Sequence, residues 1–225
     1  VKTLPRLYAI ADAGVLLSRG VGLAEFAREL CAAGVTLLQY RDKDAGPQTI
    51  LRNALVISEA FAGSEATLIM NDRSDLAALA GWNGVHVGQE DLSPEDAKKI
   101  LADRESPHLR SEMWGTQVRG RIVGVSTHNE AQVMAADAGV ADYVAIGPVF
   151  ATGTKLDAAA VVGLEGVRLA RALTCKPLVA IGGITRENAR SVIEAGADSV
   201  AVISGLFVAG ESVEKVARDF LEILR

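Results

Sequence analysis

The chain has little of the material that several specialised protein classes require. Aromatic residues fill only 4% of its 225 positions, and there are just two cysteines and three histidines. Cys31 and Cys175 stand far apart with no metal or redox spacing, which argues against a disulfide scaffold or thiolate centre. Both read as packing residues of a protein in a reducing, cytoplasmic compartment. His86, His108 and His128 have no paired ligand spacing, so a histidine-built metal site is not expected. No apolar run approaches the roughly 20 residues of a membrane span. A basic region followed by an apolar segment is missing near the N-terminus, which argues against export. A net charge of −5 and a pI near 5.3 disfavour nucleic acid as the main partner. No internal repeat stands out beyond an alternation of strand-like and helix-like stretches, and no tract is of low complexity.

What is present is a chain that is 49% hydrophobic with 22 glycines, enough to bury a large core and to turn often. Eight short runs rich in branched aliphatic residues are bounded by turn residues: 7–10, 36–40, 67–70, 84–87, 122–125, 143–146, 178–181 and 199–203. They lack polar alternation, as parallel strands do when helices cover them. Between them lie stretches with helical spacing, such as Leu23, Phe26, Ala27 and Leu30. Eight such units predict an α/β fold, a single (β/α)8 TIM barrel over residues 1–225. A doubly wound sheet is the alternative, though such sheets usually close with fewer units. Residues 103–120 break the rhythm with a charged, mixed segment, too long for an ordinary loop and placed on the face opposite the chemistry. It reads as a surface excursion, or, through Met113 and Trp114, as an apolar anchor for a second copy in a homo-oligomer.

Polar residues gather at the strand ends. Gln39, Arg41 and Lys43 share one face of their strand while Tyr40 takes the other, so three donor-bearing side chains converge on the barrel mouth. A solvated loop or an ion-pair cluster is the alternative, except for Gln39, whose amide needs a partner once buried. The third and fourth strands end in Asn71-Asp72-Arg73 and Gly88-Gln89-Glu90-Asp91. Asp72 and Asp91 would face each other across a gap suited to a hard cation such as Mg²⁺, which takes few protein carboxylates and completes its shell with water and phosphate oxygens. Each could instead cap the helix that follows. His86 reads as a hydrogen-bonded core residue, and His128 as a candidate for proton transfer or orientation.

Gly147 to Lys155 resembles a nucleotide-binding loop only superficially, since Thr154 separates Gly153 from Lys155. The loop still offers Thr152 and Thr154 hydroxyls, backbone N–H groups and the Lys155 ammonium to an anion, unless it is a plain surface loop. Gly182-Gly183 and Ser204-Gly205 close the last two strands, where barrels commonly seat a phosphate, or where tight turns alone demand glycine.

Together these segments resemble the thiamine phosphate synthase family. The resemblance lies in QYRDK at 39–43, NDR at 71–73, GVHVGQEDL at 84–92, GVSTH at 124–128, GPVFATGTK at 147–155, AIGGI at 180–184 and AVIS at 201–204, in family order over nearly the whole chain. It implies a transferase that joins 4-amino-2-methyl-5-hydroxymethylpyrimidine diphosphate to a thiazole phosphate, giving thiamine phosphate and diphosphate, with one Mg²⁺ per subunit held by Asp72 and Asp91. Gln39, Tyr40, Arg41, Asp42, Lys43, Asn71, Ser126 and Lys155 would then hold the pyrimidine diphosphate, with Arg41, Lys43, Ser126 and Lys155 as the catalytic set. Thr152, Gly153, Thr154, Gly183, Ile203 and Ser204 would hold the thiazole phosphate.

The family's reaction is dissociative: the C–O bond to diphosphate breaks first and the thiazole nitrogen captures the cation. It needs neither a protein nucleophile nor a general base, consistent with the lack of a Ser/His/Asp or Cys/His constellation. The partners implied are small phosphorylated molecules, with no nucleic acid and no membrane. Two departures from the family pattern are the long 103–120 segment and Ala151, where proline is common. A related thiazole tautomerase using His128, a sugar-phosphate isomerase, and a non-catalytic thiazole phosphate-binding protein are the other readings.

Overall fold

Branched aliphatic residues favour a pleated surface packed on both sides, and each apolar run folds accordingly as a strand. The computed structural model describes residues 3–82, 84–102, 121–153 and 160–225. Its first half runs β1 (Leu7–Asp12), α1 (Ala13–Arg19), α2 (Leu23–Ala33), β2 (Leu37–Arg41), α3 (Pro47–Ala60), β3 (Thr67–Asn71), α4 (Ser74–Leu79), β4 (Gly84–Val87) and α5 (Pro94–Ala102). Its second half runs β5 (Ile122–Thr127), α6 (Glu130–Ala138), β6 (Tyr143–Ile146), α7 (Gly163–Leu173), β7 (Leu178–Ile181), α8 (Ala189–Glu194), β8 (Ser199–Val202) and α9 (Val213–Ile223). The strands are all parallel and close in chain order, with β8 paired to β1. The fold is therefore the TIM barrel and not a doubly wound sheet.

Four strands outrun their apolar stretches. β1, β2, β3 and β5 continue through Asp12, Arg41, Asn71 and Thr127, keeping ladder partners such as Asp12 opposite Arg41 and Asn71 opposite His86. Closure supplies a neighbour on both sides, so the backbone stays paired after the side chains turn polar. That extension carries Arg41 and Asn71 to the mouth on strands, while Lys43, Asp72 and Asp91 lie in the turns that follow.

The two faces of each strand feed two cores. Tyr8, Ile10, Leu37, Ile69, Ile122, Tyr143, Ala145, Val179 and Ala201 fill the barrel interior. Leu7, Ala9, Leu38, Tyr40, Val85 and Val144 point outward and pack with helix residues such as Phe26, Leu30, Ile57, Val216 and Phe220. Interior space is made by glycine: a Cβ on Gly124 would lie 1.9 Å from Tyr143 Cζ, and one on Gly84 would lie 2.0 Å from Ile69 Cδ1. Asp12 both ends β1 and caps α1, its Oδ1 accepting from Val15 N at 3.0 Å.

Cys31 packs partly buried against the outer core, but Cys175 is exposed just before β7, so it is not the packing residue expected. Its neighbour Thr174 takes the buried position instead. Among the described residues, no helix is long and apolar enough to cross a membrane. The 103–120 segment with Met113 and Trp114 lies outside the described residues, as do Thr154 and Lys155.

Candidate active site

A cavity of about 710 Å³ opens at the C-terminal ends of the strands and draws residues from all eight strands or the segments that follow them. Of the residues singled out from sequence, Gln39, Arg41, Lys43, Asn71, Asp72, Asp91, Ser126, Thr152, Gly183, Ile203 and Ser204 line it. Two others in QYRDK do not reach it. The strand alternation turns Tyr40 outward, where its hydroxyl donates to Asp42 Oδ2 at 2.9 Å and accepts from Asn53 Nδ2 at 2.7 Å. Asp42 also accepts from the backbone N–H groups of Asp44 and Ala45, so it shapes the turn after β2. Gly153 is likewise absent from the lining.

The basic side of the mouth is already ion-paired. Arg41 Nη1 donates to Asp12 Oδ2 in a pair that links the ends of β1 and β2. Lys43 Nζ lies 2.8 Å from Asp72 Oδ2, with Lys43 half exposed to the cavity. Asp72 holds a left-handed backbone at φ 59°, a conformation that Asp and Asn tolerate better than most side chains, and its N–H donates to His86 O at 2.7 Å. Asp91 Oδ2 accepts from Gly88 N at 2.8 Å.

Neither aspartate is a helix cap. α4 starts after Arg73 without a side-chain cap bond, and Ser93 Oγ accepts from Asp96 N at the start of α5. The carboxylates of Asp72 and Asp91 instead line the same cavity, and Asp91 acts on the ionisation of Asp72. Burial, and then the adjacent Asp91, raise the Asp72 carboxyl above the ordinary range, against the opposing pull of Lys43. Two adjacent oxygen donors facing an open cavity fit a hard divalent cation such as Mg²⁺, whose remaining positions water and a phosphate could fill.

On the other side, glycines let two loops meet. Gly182 and Gly183 have φ values of 104° and 64°. A Cβ on Gly183 would come within 2.6 Å of Ala151 O, so the β7 turn and the loop after β6 touch backbone to backbone. Phe150 N donates to Gly182 O at 3.0 Å across this contact. The turn does not itself open a helix, because α8 begins only at Ala189, whereas β8 leads directly into a short 3₁₀ turn at Ser204–Leu206.

The interior below the cavity gives Gln39 and His86 the hydrogen-bond partners expected of them, through two tyrosines that the sequence reading missed. Gln39 Nε2 donates to Tyr8 Oη at 2.8 Å, the Tyr8 and Tyr143 hydroxyls are 2.9 Å apart, Tyr143 Oη lies 2.9 Å from His86 Nδ1, and His86 Nε2 lies 2.8 Å from Ser126 Oγ. Burial pushes the His86 pKa down to about 4 and raises both tyrosines above their ordinary range. A signal for the tyrosines existed: all three in the chain lie within strand runs, and a buried phenol requires a partner. His128 borders the cavity with Nδ1 2.7 Å from Gly147 O, which fixes its ring against the β6 loop.

Fold and site together define a (β/α)8-barrel enzyme whose mouth is built for anionic small molecules. The family model for thiamine monophosphate synthase matches residues 7–106 and 113–206. The chain belongs to that family. A thiamine-phosphate synthase from Koribacter versatilis (strain Ellin345) is 51% identical over 223 residues, covering 98% of this chain and 96% of that protein. One from Chloroflexus aurantiacus is 38% identical over 213 residues, covering 95% and 89%. The solved structure of a thiamine phosphate pyrophosphorylase from Pyrococcus furiosus superposes with a TM-score of 0.78 at 30% identity, covering 98% of this chain and 95% of that one.

Proposed function

We propose that the chain makes thiamine phosphate by joining 4-amino-2-methyl-5-hydroxymethylpyrimidine diphosphate to a thiazole phosphate alcohol, with release of diphosphate. The observation that carries this reading is the Asp72–Asp91 carboxylate pair beside Lys43 and Arg41 at one side of the cavity, opposite the glycine turns. The diphosphate belongs on the acidic and basic side. The thiazole phosphate belongs near Thr152, Gly183, Ile203 and Ser204.

Asp72 and Asp91 would hold Mg²⁺, which when bound supplies positive charge against the departing diphosphate. Arg41 adds to that charge from the end of β2 and Lys43 from the turn that follows it, with Asp12 keeping the guanidinium in place until substrate arrives. Gln39 and Ser126 hold the pyrimidine, and Asn71 borders the same part of the cavity. By family correspondence Lys155 neutralises the leaving group, with Gly153 and Thr154 beside the thiazole phosphate. The reaction asks the protein for no covalent partner, so its contribution is positioning, charge and exclusion of water from the cation. The apolar side chains of Val179, Ile181 and Ile203 on the cavity wall serve that last purpose.

The test is mass-spectrometric detection of thiamine phosphate after mixing the purified chain with both substrates and Mg²⁺, beside an EDTA control. Product that disappears with EDTA supports the synthase and its metal. Aromatised thiazole without any condensation product would point instead to a tautomerase.

A further inference from the structure

The line of hydrogen bonds from Gln39 through Tyr8, Tyr143 and His86 to Ser126 crosses the barrel from β2 to β5, and both of its ends face the cavity. Its direction can be worked out. Each tyrosine hydroxyl has one proton to give, and so does a neutral imidazole. Tyr8 and Tyr143 are fully buried, with no other hydrogen-bond partners among the described residues, so a proton pointed away from the line would be stranded. Only two arrangements strand no proton and also put one in every link, including the 2.9 Å contact between the two hydroxyls: every member donates toward Ser126, or every member donates toward Gln39.

The amide of Gln39 selects between them. Its Nε2 faces Tyr8, and an amide nitrogen can only donate. Tyr8 then donates to Tyr143, Tyr143 donates to His86 Nδ1, and His86 carries its proton on Nε2 and donates to Ser126 Oγ. Two groups remain unengaged at the ends. Gln39 Oε1 takes no hydrogen bond among the described residues, and the Ser126 hydroxyl proton finds no acceptor there, although its oxygen is held. The cavity is thus offered an acceptor by Gln39 and a donor by Ser126.

We propose that Tyr8, Tyr143 and His86 are positioning residues that fix this polarity, and that the polarity makes the site select an amino-substituted over an oxo-substituted pyrimidine diphosphate. An exocyclic amino group satisfies Gln39 Oε1, while a carbonyl in its place sets two acceptors against each other. Ser126 donates to a ring nitrogen or another acceptor of the same ligand. The inference rests on the reading that the 4-amino pyrimidine diphosphate binds here, and it adds which residues impose the demand for the amino group.

The experiment is titration calorimetry of the full chain with the 4-amino pyrimidine diphosphate, its 4-oxo counterpart and inorganic diphosphate, using the wild type, Tyr8→Phe and Tyr143→Phe. The wild type is expected to favour the amino form by about 100-fold, since a mispaired polar group is rejected strongly by a site built to hydrogen-bond it. Tyr8→Phe removes the acceptor that holds Gln39 Nε2, so the amino-to-oxo ratio should fall at least about tenfold. Tyr143→Phe takes away the acceptor of the Tyr8 proton, which then turns to Gln39, reverses its amide and shifts preference toward the oxo form. Affinity for inorganic diphosphate should stay within about twofold in both, because neither hydroxyl reaches the charged side of the mouth. An unaltered ratio in both variants, or an equal loss of both pyrimidines, would overturn the directional chain while leaving the proposed reaction standing. Failure of the wild type to bind either pyrimidine would overturn both.

Discussion

Asp72→Asn separates the chemistry of one carboxylate from the backbone that carries it. Asparagine accepts the φ of 59° at this position as aspartate does, whereas a residue without a short polar side chain is strained there by about 1–2 kcal/mol. In the folded protein the Asp72 carboxyl sits above its ordinary range, because of burial first and Asp91 next. A group raised in this way stabilises the fold fully below its unfolded pKa, and the contribution is lost as pH rises through the folded value. At neutral pH the ionised side chain is therefore a burden that asparagine removes, offset by the contact with half-exposed Lys43 that is given up. Asp72→Asn should unfold within about 1 kcal/mol of the parent at pH 7, or above it. Asp72→Ala should fall about 1–2 kcal/mol below Asp72→Asn. At about 2–4 °C per kcal/mol for a chain of this size, the Tm gap between the two variants is about 2–8 °C.

Activity should move in the opposite sense. A divalent cation supplies several kcal/mol of charge stabilisation, and about 1.4 kcal/mol corresponds to tenfold in rate, so losing one of two carboxylates should cost at least about 100-fold in Mg²⁺-dependent turnover. The assay pairs initial rates over a Mg²⁺ titration with thermal unfolding in the presence and absence of Mg²⁺. An ion that binds only the native state raises the parent's Tm, and Asp72→Asn should lose that rise. Parental turnover together with a parental Mg²⁺-induced rise in the asparagine variant would refute the metal assignment outright.

Three further outcomes are expected. Gly124→Ala would drive a Cβ to 1.9 Å from Tyr143 Cζ, so overpacking of about 1–3 kcal/mol plus two displaced hydrogen bonds at about 1 kcal/mol each gives a loss of about 3–5 kcal/mol. Denaturant unfolding checks this, and a change under about 0.5 kcal/mol would mean that the ring moves freely. Asp12→Asn keeps an Oδ1 for Val15 N but removes the charge that anchors Arg41, so inorganic diphosphate should bind about tenfold more weakly with the fold unharmed; unchanged affinity in calorimetry would remove Asp12 from a positioning role. Far from the mouth, Arg186 and Lys215 hold the Glu211 carboxyl down at about 2 and lower Asp219 as well. Depressed carboxylates give stability that is present above their unfolded pKa and lost as pH falls, so Tm should decline between the ordinary 4.5 of Glu211 and about 2. Arg186→Gln should flatten that decline, and a parallel pH profile would show that the cluster contributes nothing.

The barrel was legible because a strand buried on both faces leaves an uninterrupted aliphatic run, and eight such runs have few ways to close. Strand ends were less legible: the apolar runs stop at Ile10 and Val125, yet pairing carries β1 to Asp12 and β5 to Thr127. Period-two alternation was enough to send Gln39, Arg41 and Lys43 into the mouth and Tyr40 away from it. Family correspondence alone added Tyr40 and Asp42 to the binding set, and the side-chain directions do not bring either to the cavity. The partners that engage the basic residues could not be read, since nothing local in the sequence ties Asp12 to Arg41 or Lys43 to Asp72. Those pairings follow from strand order and register, which are properties of the closed barrel.

The buried tyrosines pose the sharpest question about cost. Phenylalanine at positions 8 and 143 would fill nearly the same interior volume with no hydroxyl to satisfy, and a polar group taken from water returns little net stability even when bonded. Packing therefore does not account for Tyr8 and Tyr143. Separate anchoring would use one hydroxyl for Gln39 and one for His86, but it does not account for the 2.9 Å contact that joins the two hydroxyls. What only a continuous line can do is make the orientation of one end depend on the other, so that Gln39 and Ser126 present a matched acceptor and donor across the cavity. Such a line is costly if broken and rigid if complete, as buried polar networks are. It extends the choice of exocyclic group to Tyr143, which lies off the cavity lining, so a change there would alter specificity before it altered the shape of the site.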